Sequence, residues 1–407
     1  KLIDPQKTIY RIDLRDFDWD VREYKTSTAV WDAIIAQNPY NIEYATEAAG
    51  YCSEQTRHKI PYVRGDWFVA AASRPPLYHH ILEIPQTDKE LEKRLGVNVA
   101  ANIAREKVVR AGFTRSGVSD NNRLIERHQS RYGAYWKSYD FGGNKGRQLL
   151  TRHPLGPGAN EASFKQDGGE IIFNLPNGLQ AYMLIKADGQ RIDAGPINIV
   201  RDKDDIARNG GLVVNGLSCM HCHNQGMIRK GDEIRPFVLA NSIIFRNQRG
   251  LAELIKELYP KTDVMDGWFV RDANRHIKAA RETGSPVTEN ETNGQLRLDD
   301  EQPIVRLSTR FHNELDLNLA AAEAGIRPDD FKKALGNSRT LAEQLGLLLI
   351  TGKKVKRDTY VDAFPTLIRE LRLGRHVAPT VSGIGSTRPS SDRLLTDSIG
   401  MKLVKVP

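Results

Sequence analysis

The chain has 407 residues, 40% hydrophobic and 27% charged, which is more than one domain at about 150 residues each and enough to bury a core without covalent staples. Three cysteines exclude a disulfide framework, and the absence of any apolar run of about 18 residues excludes a membrane-spanning helix. Lys and Arg exceed Asp and Glu by 59 to 51, a net charge of +8. The charges are scattered, and no Arg-rich helix or aromatic sheet motif accompanies them. Nucleic acid is therefore excluded as a partner, leaving a solvated basic surface or attraction to an acidic partner or anionic surface. The opening "KLIDPQKTIYRIDLRDFDW" has no basic-plus-apolar leader, so an export signal is expected to have been removed or never present.

In chain order, residues 1–165 read as a mainly helical region with long loops. Apolar spacing predicts a helix over 25–37, and Thr87 with Glu90 forms a capping box that opens another, expected to run to about Val109 before Gly112 stops it. Pro75 and Pro76 make 73–85 a shaped loop, with a helix able to start only after them. "GGNKGR" at 142–147 lacks the Lys-Ser/Thr ending of a phosphate loop and reads as surface loop. Residues 166–235 form a second region. It offers strands at 170–175, 180–185 and 191–200, turned by Asn177-Gly178 and Asp188-Gly189, with Pro196 making the third an edge. Helices follow in a third region, 236–375, at 237–258, 270–283, 304–324, 328–335, 340–349 and 358–373. Residues 376–407 read as a flexible linker or tail, rich in Ser, Thr, Gly and Pro. The fold class expected from this order is mainly α with a small antiparallel β element.

"GLSCMHCHNQGM", Gly216 to Met227, holds two of the three cysteines. Within it, Cys219-Met220-His221-Cys222-His223 is C-x-x-C-H. Two thiols one helical turn apart can add to the two vinyl groups of one porphyrin, and the adjoining His223 imidazole then reaches its iron. The expected cofactor is one covalent haem c per chain, with Cys219 and Cys222 attaching it and His223 as proximal ligand. A thioredoxin-like dithiol would need a small α/β unit around the pair. A structural zinc would need a second spaced pair, which the adjacent His79-His80 does not provide. His221 reads as a spacer, and Met227, four residues past His223, as packing on the haem edge. Cys52 reads as a small buried hydrophobe.

The other axial position stays open among His128, His79, His80 and Met265. Met265 lies downstream in the order used by small electron carriers, although its apolar neighbours suit core equally. His79 and His80 could reach in from the proline-shaped loop. His128, flanked by Arg127 and Arg131 and followed by Tyr132, Tyr135 and Trp136, has the base-plus-cation pattern that suits peroxide cleavage, so these three are the catalytic candidates. A helix end followed by an aromatic strand explains the same residues. His153 is a weaker candidate of the same sort.

The segments "YRIDLRDFDW", "DWFVAAASRPPLYHHILEIP", "SGVSDNNRLIERH", "GAYWKSYDFGGN", "GGEIIFNLPNGLQAYMLIKADGQRIDAGPINIV" and "NGLSCMHCHNQGMIRKGDEIRPFV" together resemble an uncharacterised family of large mono-haem c-type cytochromes from bacterial genomes. The resemblance spans roughly residues 8–370. It implies covalent haem on Cys219 and Cys222 with His223 as proximal ligand, a haem module embedded in a larger helical protein, and a periplasmic or otherwise exported location. The end, "LTDSIGMKLVKVP", resembles the opening of a formylglycine-generating-enzyme-like domain. The expected function is single-electron transfer with a redox partner protein. A haem peroxidase or oxygenase with an open distal site, and a haem-based redox or ligand sensor, are the alternatives.

Overall fold

The computed structural model describes residues 12–17, 19, 25–57, 63–158, 160–201, 211–245, 250–290 and 294–377. The resemblance seen at 395–407 lies outside them, as does most of the expected 376–407 tail. Two compact units are formed. Among the described residues, one combines the chain up to Ser73 with Arg306 to Val377, and the other is Arg74–Val305.

The first unit is helical. Its core gathers Ile34, Tyr40, Phe331, Tyr360, Phe364 and Leu367, all buried. Strands Ile42–Tyr44 and Gly374–His376 pair antiparallel, tying the two chain segments together. Glu323 receives the Arg357 guanidinium at 2.6 and 2.9 Å, so the buried Arg357 is compensated. Cys52 lies half-buried on helix Glu47–Thr56 rather than fully inside.

The second unit is organised by a six-stranded antiparallel meander: β1 (Val109–Thr114), β2 (Asn122–Ser130), β3 (Gly133–Asp140), β4 (Gly168–Asn174), β5 (Gln180–Lys186) and β6 (Arg191–Ile192). Arg127↔Trp136↔Ile172↔Tyr182 and Arg123↔Asp140↔Gly168↔Lys186 fix the register across four strands. Because successive side chains alternate between faces, Arg123, Ile125, Arg127, Trp136, Ser138, Glu170, Ile172 and Leu184 share one face. Leu124, Glu126, His128, Tyr135, Lys137 and Tyr139 share the other.

This corrects the expected fold class. With 45% helix and 18% strand, the chain is a mixed α/β fold around an extended sheet, not mainly α with a small β element, and its haem-motif unit is not an embedded helical module. Residues 109–140, expected within the mainly helical 1–165, supply three of the six strands. The helix opened by the Thr87–Glu90 capping box ends at Leu95 on the left-handed Gly96, and a second short helix, Val99–Ala104, precedes β1. The physical reason is burial on both sides. Every residue of β3 is buried, so the polar alternation of a half-exposed strand never develops. The run expected at 191–200 pairs only at Arg191–Ile192 and Ala194–Gly195. The helix expected over 237–258 is described as the separate helices Ile234–Ala240 and Leu251–Leu258, and 304–324 divides into Pro303–His312 and Leu317–Glu323.

Helix 25–37 has the bounds its spacing predicts, and helix Leu77–Ile81 begins directly after the two prolines. Among the described residues no helix is long and apolar enough to cross a membrane.

Candidate functional site

The short helix Leu217–Cys222 carries the C-x-x-C-H motif. Gly216 enters it at φ 83°, a left-handed conformation that favours glycine. The Cys219 carbonyl accepts the His223 N–H at 2.8 Å, closing one helical turn. That turn puts Cys219, Cys222 and His223 on the wall of a single cavity of about 380 Å³. The cavity floor is the sheet face bearing Ile125, Ile172 and Leu184, and Phe113, Val200 and Met227 are among its other apolar lining residues.

The imidazole of His223 is held in a fixed orientation. Its Nδ1 lies 3.1 Å from the Gly226 carbonyl, an acceptor, so Nδ1 carries the proton and Nε2 keeps its lone pair. Nε2 faces Glu170 Oε2 at 4.0 Å, and the ring lies 5.9 Å from that of Tyr182. Gly226 itself adopts φ 82°, and a Cβ there would stand 2.8 Å from the Ala273 backbone. Only glycine brings this turn so close to the long helix Thr262–Glu282.

That helix closes the same sheet face beside the cavity. Phe269 stacks on Trp136 with centroids 5.1 Å apart. Asp272 accepts from Arg127 Nε at 2.6 Å, from Arg127 Nη2 at 3.1 Å and from Trp136 Nε1 at 2.9 Å. His276 Nδ1 accepts the Gln180 N–H at 3.2 Å, and its Nε2 lies 2.7 Å from Gln302 Nε2. Burial, then the nearby His223, lowers the His276 pKa to about 4. Gln302 also contacts Asn224 through its backbone and side chain, which fixes the turn after His223.

The site fits a covalent haem on its own chemistry. Two thiols and an oriented imidazole open on one apolar-floored cavity, and no disulfide joins the cysteines. Burial, then Glu170, pushes the Cys219 thiol pKa well up, the opposite of the lowered value a redox dithiol uses. Among the described residues no group of three or more His, Cys, Asp or Glu is placed to hold a metal ion.

The remaining candidates lie elsewhere. His128 is fully buried on the opposite sheet face, its Nδ1 3.1 Å from Asn102 Nδ2 and its Nε2 3.1 Å from Glu126 Oε1. Arg127 shares the motif's face but is committed to Asp272 and packs 3.9 Å over the Trp268 ring. Arg131 is exposed in the β2–β3 turn. The His128–Arg127–Arg131 grouping therefore divides between two faces and a turn. His79 is buried, with Nε2 2.6 Å from Asn215 Nδ2 and Nδ1 3.4 Å from Asp193, and burial followed by Arg191 lowers its pKa to about 3. His80 is half-buried on the same short helix and His153 lies against the Glu161 carbonyl. Met265 is buried in the core cluster. None of these lines the cavity.

Glu170, Tyr182, Asp272 and His276 were not singled out in the sequence. One signal existed: Glu170 is a lone carboxylate opening an otherwise apolar strand. The others come from segments too far apart to associate by spacing. No family model matches the chain, and no curated protein or solved structure is significantly similar to it.

Proposed function

We propose that this protein is an exported mono-haem c-type cytochrome that passes single electrons to and from a redox partner protein. The observation that carries the reading is the convergence of Cys219, Cys222 and the Nε2 of His223 on one apolar-floored cavity. Cys219 and Cys222 would hold the group through thioether bonds and His223 would bind its iron. When bound, the haem supplies one-electron chemistry at a potential set by its axial ligands and surroundings.

The chain's own residues do the rest. The Gly226 carbonyl holds the His223 ring in one orientation, with Nε2 left to bind a metal. Ile125, Ile172 and Leu184 exclude water from one side of the cavity. Cys222 is exposed while Cys219 is buried, so an edge of the site meets solvent, where a partner can approach. Basic residues Lys186 and Lys230 line the cavity and, with the net charge of +8, favour an acidic partner.

The test is the intact mass of the full chain produced in a host equipped for haem c attachment, with optical spectra of both oxidation states. The expected result is a mass raised by one haem that survives denaturation, with reversible oxidation and reduction. A mass equal to the bare polypeptide overturns the proposal.

A further inference from the structure

A histidine-bound iron has a second axial position, and the residue occupying it decides its spin state and potential. The group facing His223 Nε2 is a carboxylate, Glu170 Oε2 at 4.0 Å. Axial nitrogen and oxygen bonds to a first-row metal ion are about 2 Å each, so two of them opposite one another span about that distance. Glu170 projects from β4 onto the cavity face, and its side chain is only 12% exposed. Its backbone is pinned where the N–H donates to Ser138 Oγ at 2.8 Å.

Glu170 is hydrogen-bonded to the Cys219 thiol, a bond that is lost when that sulfur becomes a thioether, leaving a largely buried carboxylate in need of another partner. The nearby guanidinium of Arg123 is spent on Asp140, at 2.6 and 3.0 Å. Among the described residues no Lys or Arg forms an ion pair with Glu170. Of the nitrogen and sulfur alternatives, His128 lies on the other face, His79 has both nitrogens in contact and Met265 is in the core; Met227 does line the cavity, but it follows His223 by only four residues. Among the described residues the cavity wall holds no second histidine.

Resting on the haem reading above, we propose that Glu170 is the iron's second axial ligand, its carboxylate oxygen opposite the His223 nitrogen. A hard anionic oxygen is a weak-field donor that favours ferric over ferrous iron. The carrier so built is high-spin when oxidised and poised at a lower potential than one closed by methionine.

The experiment compares the haem-loaded full chain with Glu170→Gln, Glu170→His and Glu170→Asp, using optical and electron paramagnetic resonance spectra, redox titration and intact mass. Wild type is expected to be ferric high-spin. Glu170→His should convert it to a low-spin bis-imidazole spectrum, and Glu170→Gln should raise the midpoint potential. Glu170→Asp keeps the charge but withdraws the oxygen, so cyanide should bind its ferric iron at least tenfold faster than wild type. It reads the proposal even if the neutral variant fails to fold. A low-spin wild-type ferric spectrum, or haem-loaded variants indistinguishable from wild type, overturns the ligand assignment alone. A wild-type chain without attached haem overturns the haem reading and this inference together.

Discussion

The two faces of the six-stranded sheet are built from the same four central strands, yet they solve opposite problems. The face away from the motif is closed by charge. Arg110, Glu126 and His128 are all 0% exposed. Arg110 donates to Glu126 at 2.7 and 3.0 Å, Tyr139 donates to Glu126 at 2.6 Å, and Lys137 meets Asp88 at 2.6 Å. The face toward the motif is closed by the long helix over Trp136 and Arg127 only. Beside that cover it stays open as the cavity, with Glu170 inside. Buried charge rigidifies when every member is paired and invites a metal when one is not. The comparison teaches that burial alone does not mark a functional residue; a buried carboxylate with no Lys or Arg paired to it among the described residues does.

The sharpest way to break the comparison is at the motif. Replacing Cys219 and Cys222 together by Ala is expected to abolish covalent haem, with intact mass as the readout, while the charged face keeps the chain folded by circular dichroism. The converse test removes Glu126. Glu126→Ala leaves Arg110 buried without its carboxylate and is expected to cost about 3–5 kcal/mol in urea unfolding, leaving the spectrum of the attached haem unchanged.

Acid probes the same carboxylate. Burial pushes its pKa up, but Arg110, with His128 and Tyr139, outweighs burial and holds it at about 2 against an ordinary 4.5. The folded value is depressed, so this contribution is fully present above pH 4.5 and is lost as pH falls towards 2. It amounts to about 3 kcal/mol at 1.36 kcal/mol per unit. Thermal melts across that window should steepen in wild type and flatten in Glu126→Gln. The smallest effect is expected at His128. His128→Ala should cost about 1–3 kcal/mol through the broken Asn102 and Glu126 contacts and leave the optical spectrum untouched. A changed spectrum would move His128 back to the iron.

Much of the local structure was readable in advance. The capping box at Thr87 and Glu90 forms with both reciprocal bonds, because its donors and acceptors are three residues apart. Gly178 and Gly189 take φ 90° and 83° in the turns they mark, because only their own backbone decides those angles. The strands at 109–140 were not readable. Their charged residues, Glu126, Arg127 and Lys137, look like a solvated surface until each meets its partner from another segment. Glu170 looked like a strand end for the same reason.

By itself, the order of residues determined that two thiols and an imidazole share one helical turn, since a turn needs only neighbours. It also determined where the chain reverses between β4, β5 and β6. The tertiary structure decided which face of the sheet each side chain meets. It sent His128 to one side and Arg127 to the other, brought Asp272 and His276 from the long helix, and set Glu170 before His223. Those outcomes depend on strand register and on packing between distant segments, neither of which local spacing encodes.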